Sequence, residues 1–126
     1  MRLTELEPEF FRYEDREEMV DFVDGKRMHR VQYSVPVSSV AEAQCLWFLC
    51  PLCFQANHNS NKGTHMVEVS FADRGVQDHQ GTHNKEGKPV RWNVSGSGFE
   101  DLSTLPSILL EGGCAWHGYI TNGEVQ

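Results

Sequence analysis

Two short stretches of the chain read as halves of one metal site. The first is Cys50-Pro51-Leu52-Cys53 and the second is Cys114-Ala115-Trp116-His117. Each sets two ligand-type residues two apart, the spacing at which a tight turn can aim both side chains at one ion. Together they offer three thiolates and an imidazole, a complete tetrahedral set for zinc. Sixty residues separate Cys53 from Cys114, so a shared ion would close a loop holding nearly half of the 126-residue chain. Cys50, Cys53, Cys114 and His117 are therefore the expected ligands. Gly118 follows the second pair and Gly112-Gly113 precedes it, which lets the backbone turn closely around an ion. Phe54 follows the first pair where a glycine would be expected.

Composition explains why such a staple would be needed. The length is that of one domain, 1–126, and the hydrophobic fraction of 39% supplies only a thin core. Small domains with thin cores often recruit a structural metal. Four cysteines with no secretory signal suggest a reducing compartment and metal binding rather than disulfides. No run reaches the roughly eighteen apolar residues of a membrane span. These features lead to an expectation of a cytoplasmic protein. The net charge of −7 argues against nucleic acid as a partner, because affinity for phosphate backbones comes mainly from Lys and Arg.

Patterning predicts a mainly β, β-rich α+β domain that is zinc-ribbon-like, with two knuckles and long loops. Residues 1–30 read as an acidic segment, with a short helix over 15–23 placing Met19, Phe22 and Val23 on one face. Strands are expected over 29–37, 45–49, 65–71, 91–94 and 106–111. A single helical turn is expected over 40–43 and another within 99–105. Asn122-Gly123 between short apolar pieces predicts a terminal hairpin. Residues 54–64 and 73–89 read as loops, the second long and mobile and carrying His79 and His83. Cys45 shares a strand face with Trp47 and Leu49, opposite Cys50, and reads as a buried thiol rather than a fifth ligand.

Other chemistry is poorly represented. A deaminase would need H-x-E ahead of P-C-x-x-C, and the chain has none. It also has no G-x-S-x-G, no phosphate-binding Walker loop and no G-x-G-x-x-G. Four strong ligands leave no position open for a catalytic water. His65, preceded by Gly63-Thr64, is the best candidate for an additional reactive group.

Several stretches resemble a family of small proteins of unknown function carried mostly by tailed phages and prophages. They include Leu3-Thr4-Glu5-Leu6-Glu7-Pro8-Glu9-Phe10, Phe48-Leu49-Cys50-Pro51-Leu52-Cys53-Phe54 and Gly63-Thr64-His65. They continue through Arg91-Trp92, Ser95-Gly96-Ser97-Gly98 and Asp101-Leu102 to the ending Gly112-Gly113-Cys114-Ala115-Trp116-His117-Gly118-Tyr119. Members are often mislabelled ammonia monooxygenase, but this chain has neither a membrane span nor a copper-type histidine cluster. The resemblance implies phage origin and a compact zinc domain, with His65, Trp92 and Asp101 marking a shared surface. It implies no activity. The resulting expectation is a phage accessory protein with a structural zinc, binding a host or phage protein and inhibiting a host defence or host factor. The rival readings are a zinc-dependent hydrolase using His65 and a small-ligand or nucleotide pocket lined by Trp47, Trp92 and Trp116.

Overall fold

The computed structural model describes all 126 residues. After a 3-10 turn at Leu3–Leu6, strands β1 (Glu9–Phe22), β2 (Gly25–Val37) and β3 (Cys45–Leu49) precede helix α1 (Pro51–Ala56) and strand β4 (Met66–Ser70). These four strands form an antiparallel sheet in the order β2-β1-β3-β4. The remaining strands pair in short antiparallel ribbons. They are β5 (Asn93–Ser95) with β6 (Ser103–Leu105), β7 (Ile108–Leu109) with β8 (His117–Gly118), and β9 (Ile120–Thr121) with β10 (Glu124–Val125). The domain is mainly β, as its patterning predicts.

Strand alternation sorts the side chains onto two faces. On one face Phe10, Leu46, Phe48, Val67 and Val69 meet Leu3 and Leu6 and the C-terminal ribbons, through Trp92, Leu102, Ile108, Trp116, Ile120 and Val125. This is the main core. On the other face Phe11, Tyr13 and Cys45 form a smaller cluster with Trp47 and Val76. Cys45 is fully buried there, away from Cys50, in line with its sequence pattern.

Residues 73–89 contain no strand or helix, yet they are tied to this second face by hydrogen bonds. The Tyr13 hydroxyl lies 2.8 Å from Ser70 Oγ and donates to Glu68 at 3.1 Å. Thr82 N–H donates to Ser70 Oγ at 2.9 Å. Arg91 donates to the carbonyls of Gln77, Gln80 and Thr82. The His79 ring faces Asp15 and that of His83 lies between the carbonyls of Gly81 and Asp78. Both histidines are exposed loop residues, as the sequence suggests, but each ring also has hydrogen-bond partners within the fold.

Two helical expectations give way to strands. Residues 15–22 continue β1, because each pairs across to β2 in a register unbroken from Phe10↔Val37 to Phe22↔Gly25, and Val23 opens the turn between the strands. The helical spacing of Met19, Phe22 and Val23 marks no buried stripe, since all three are exposed. Residues 103–105 are strand β6 rather than a helical turn. Conversely, the loop expected from residue 54 begins as α1.

The termini are joined. Leu3 N–H donates to Gly123 O and Val125 N–H to Met1 O, both at 2.8 Å. The Asn122-Gly123 turn has φ of 47° and 77°, the left-handed pair that a two-residue hairpin needs. A Cβ at Gly123 would lie 2.2 Å from the Glu100 carbonyl oxygen, so this close approach also requires glycine.

Candidate metal centre

The first two thiols are placed by the start of α1. Cys50 is the N-cap residue, Pro51 occupies the first turn, and Cys53 falls at the third helical position. Proline there has its φ preset for the helix and no N–H to leave unsatisfied. N-cap and third-position side chains converge over the helix start, the geometry a capping box uses. The C-x-x-C pair is thus built on a helical turn rather than on the knuckle expected from sequence.

The imidazole comes from the β3–β4 ladder. These strands pair Leu49 with Met66, so one step further along the same register sets His65 opposite Cys50. Cys50 N–H donates to His65 O at 3.0 Å and fixes that step. Cys114 arrives from the turn between β7 and β8, where Gly112, Gly113 and Ala115 all have positive φ. The ligand atoms of Cys50, Cys53, His65 and Cys114 lie within 4.8 Å of one another and could hold a metal ion. Cys50 Sγ and Cys114 Sγ are 3.6 Å apart, and His65 Nε2 is 3.3 Å from Cys114 Sγ. Metal–sulfur bonds of about 2.3 Å at tetrahedral angles put two sulfurs ~3.8 Å apart, so the donor set is close to the required size.

His117, the expected fourth ligand, is not in this group. Leu109 pairs with His117, and alternation along the strand buries Trp116 and Gly118 while exposing His117. Its Nε2 lies 3.0 Å from Ser107 Oγ and its ring faces Tyr119. The Cys3His composition survives with a different histidine. The signal that could have found His65 is the strand pairing itself: both β3 and β4 are legible, and their ends carry Cys50 and His65.

The environment separates the thiols. Burial pushes Cys50 up to about 12, although the backbone N–H groups of Cys53 and Leu52 pull it down. Burial likewise raises Cys53, with Cys114 adding to the effect. At Cys114 burial also acts upward, but the His65 ring and the Trp116 N–H outweigh it and hold the thiol down to about 7. A cation bound by all three would reverse the cost of ionising the two raised thiols.

The other marked residues are structural in their contacts. Asp101 accepts from the N–H groups of Ser97 and Gly98 and from Ser97 Oγ, and these bonds hold its carboxyl below the usual range. It thereby closes the Ser95–Gly98 turn, where a Cβ at Gly96 would lie 2.7 Å from Asp101 O. Trp92 is buried, donates through Nε1 to Ser107 O at 3.2 Å, and lines a cavity beside the thiols. Trp47 packs at a tilt against Phe11 and Trp116 meets Phe48 edge to face, so the three tryptophans do not line one pocket.

With all four donors bound, a tetrahedral ion has no vacant position for water, and His65 is spent as a ligand rather than free as a base. No helix of the chain is long and apolar enough to cross a membrane. Comparison with protein-family models, curated proteins and solved structures returns no match.

Proposed function

We propose that this is a non-catalytic binding domain whose fold is stapled by a structural zinc at Cys50, Cys53, His65 and Cys114. The observation that carries the reading is the convergence of three thiols and one imidazole from three separate segments within 4.8 Å. Zinc suits three soft sulfurs and one nitrogen in a closed tetrahedron, and an iron–sulfur centre suits a ligand imidazole less well.

The partner is a host or phage protein, bound in the host cytoplasm by a phage accessory factor that inhibits a host defence or host factor. Support for a protein partner comes from the far end of the β1–β2 hairpin. Met19, Phe22, Val23 and Met28 are exposed there among charges of both signs. Exposed apolar groups with a polar rim are a common form of protein contact site. The test is affinity capture from infected host cells with the parent chain and a Met19→Ser/Met28→Ser variant, measuring zinc on both. One zinc per chain in both, with a captured protein lost only from the variant, is the expected result. A metal-free, fully folded parent chain would sink the staple. Equal capture by both forms would sink the assignment of the hairpin end.

A further inference from the structure

The cavity beside the thiols has a volume of about 720 Å³, within the range of small-molecule sites. Cys53, His65 and Cys114 form one of its walls, while Cys50 lies behind them. Val90, Trp92, Pro106, Leu109 and Leu110 supply an apolar wall, and Leu109 is 54% exposed at that position.

The polar groups around this cavity are unequally engaged. The Thr82 hydroxyl donates to Glu68 O, His83 has a backbone carbonyl at each ring nitrogen, and Ser107 Oγ is beside His117. Glu111 is tied back by one oxygen to Lys85 N–H at 2.8 Å. The Lys85 ammonium makes no ion pair and no hydrogen bond, and the Asn84 amide uses only its oxygen, accepting from Glu86 and Lys88 N–H groups. The unused groups on these two neighbouring side chains are therefore both donors. A bound divalent cation offsets two of the three thiolate charges at the adjoining wall, so this argument rests on the zinc reading.

We infer that the cavity binds a small molecule with a flat apolar body and a single anionic end. The body lies against Trp92, Leu109 and Leu110, and the anionic group accepts from Lys85 and Asn84. Apolar surface against the exposed Leu109 and neighbouring Leu110, reaching only the edge of the buried Trp92, and an oxyanion on an ammonium use the two strongest complementary features of the site.

The experiment titrates the zinc-loaded full chain with 2-naphthoate and, separately, with neutral 2-naphthylmethanol, following ¹H–¹⁵N shifts and heats of binding. The expected result is saturable 1:1 binding of naphthoate that moves the Trp92 indole N–H and the amides of Lys85 and Gly113. The alcohol should bind at least fivefold more weakly. Lys85→Gln should weaken naphthoate at least fivefold, and Glu111→Gln should tighten it, since a nearby carboxylate is removed. Both substituted residues are exposed. Shifts confined to the hairpin end, equal affinity for the two probes, or an unchanged affinity in Lys85→Gln would each overturn the inference. Zinc content measured on the same sample separates the two readings. One zinc per chain without naphthoate binding removes the cavity ligand alone, whereas naphthoate binding to a folded, metal-free chain removes the zinc staple alone.

Discussion

The β1–β2 hairpin and the segment after residue 90 are opposites. The hairpin has thirteen consecutive paired positions, yet from Glu14 to Arg30 it buries no side chain. The C-terminal segment has strands of two or three residues, yet it buries Trp92, Leu102, Ile108, Trp116, Ile120 and Val125. Ladder length and burial are decoupled in this molecule. A long ladder without a covered face is only marginally stable by itself. Short ribbons with a shared core need something besides backbone pairing to hold them in place, and the proposed metal staple supplies that through Cys114.

The largest expected effect breaks the comparison at its strongest point. Removing zinc with a chelator, or making Cys114→Ser, should unfold the C-terminal segment, because structural zinc contributes on the order of 10 kcal/mol in small modules. Loss of dispersed amide signals after residue 90, read by NMR alongside metal content, checks this. Trp92→Ala should cost about 3–5 kcal/mol in urea unfolding, as truncation of a buried aromatic does. A loss near zero would mean the C-terminal core is not cooperative with the sheet.

The two histidines sharpen the picture further. His65→Ala should lower zinc affinity more than ~100-fold, beyond the usual effect of residues that merely support a ligand. His117→Ala should leave affinity unchanged. Competition with a chromophoric chelator measures both, and the reverse ranking would restore the pairing suggested by the spacing of Cys114 and His117.

A smaller effect concerns the polar network under residues 73–89. Burial raises the Glu68 carboxyl above its usual value of 4.5, with Tyr13 pulling the other way. The folded chain therefore holds that proton more tightly than the unfolded one. The associated stability is full below the unfolded value and is lost as pH rises through the folded value. Glu68→Gln, which keeps an acceptor for Tyr13, should be more stable than the parent at neutral pH. Thermal melts across pH should show that advantage vanishing below the usual carboxyl range.

The smallest effect lies in the hairpin. Met19→Thr with Met28→Thr should change global stability by no more than ~0.5 kcal/mol, as for surface positions generally. These residues face each other across the ribbon and both are more than half exposed. A large loss would show that the hairpin is covered in solution.

Much of this architecture is legible in residue order. The buried run Cys45–Leu49, the alternation of Val67, Val69 and Phe71, and the Asn122-Gly123 turn each state their element locally. Of the hairpin, β2 is legible over 29–37, but the outer part of β1 is not, because its residues face water on both sides and show no alternation of apolar and polar groups. Helical spacing at Met19, Phe22 and Val23 then competes with a pairing partner that only the folded ladder supplies.

Ligand chemistry was likewise determined by the sequence: three cysteines in a C-x-x-C and a distant single position, with histidines nearby. Which histidine joins them was decided by tertiary structure. Spacing along the chain favours His117, three residues beyond Cys114, but strand alternation turns that ring outward. Antiparallel pairing carries His65 to Cys50 across fourteen intervening residues. Proximity in a turn is a local property that spacing can suggest, whereas proximity at the end of a ladder depends on register, which only the packed sheet defines.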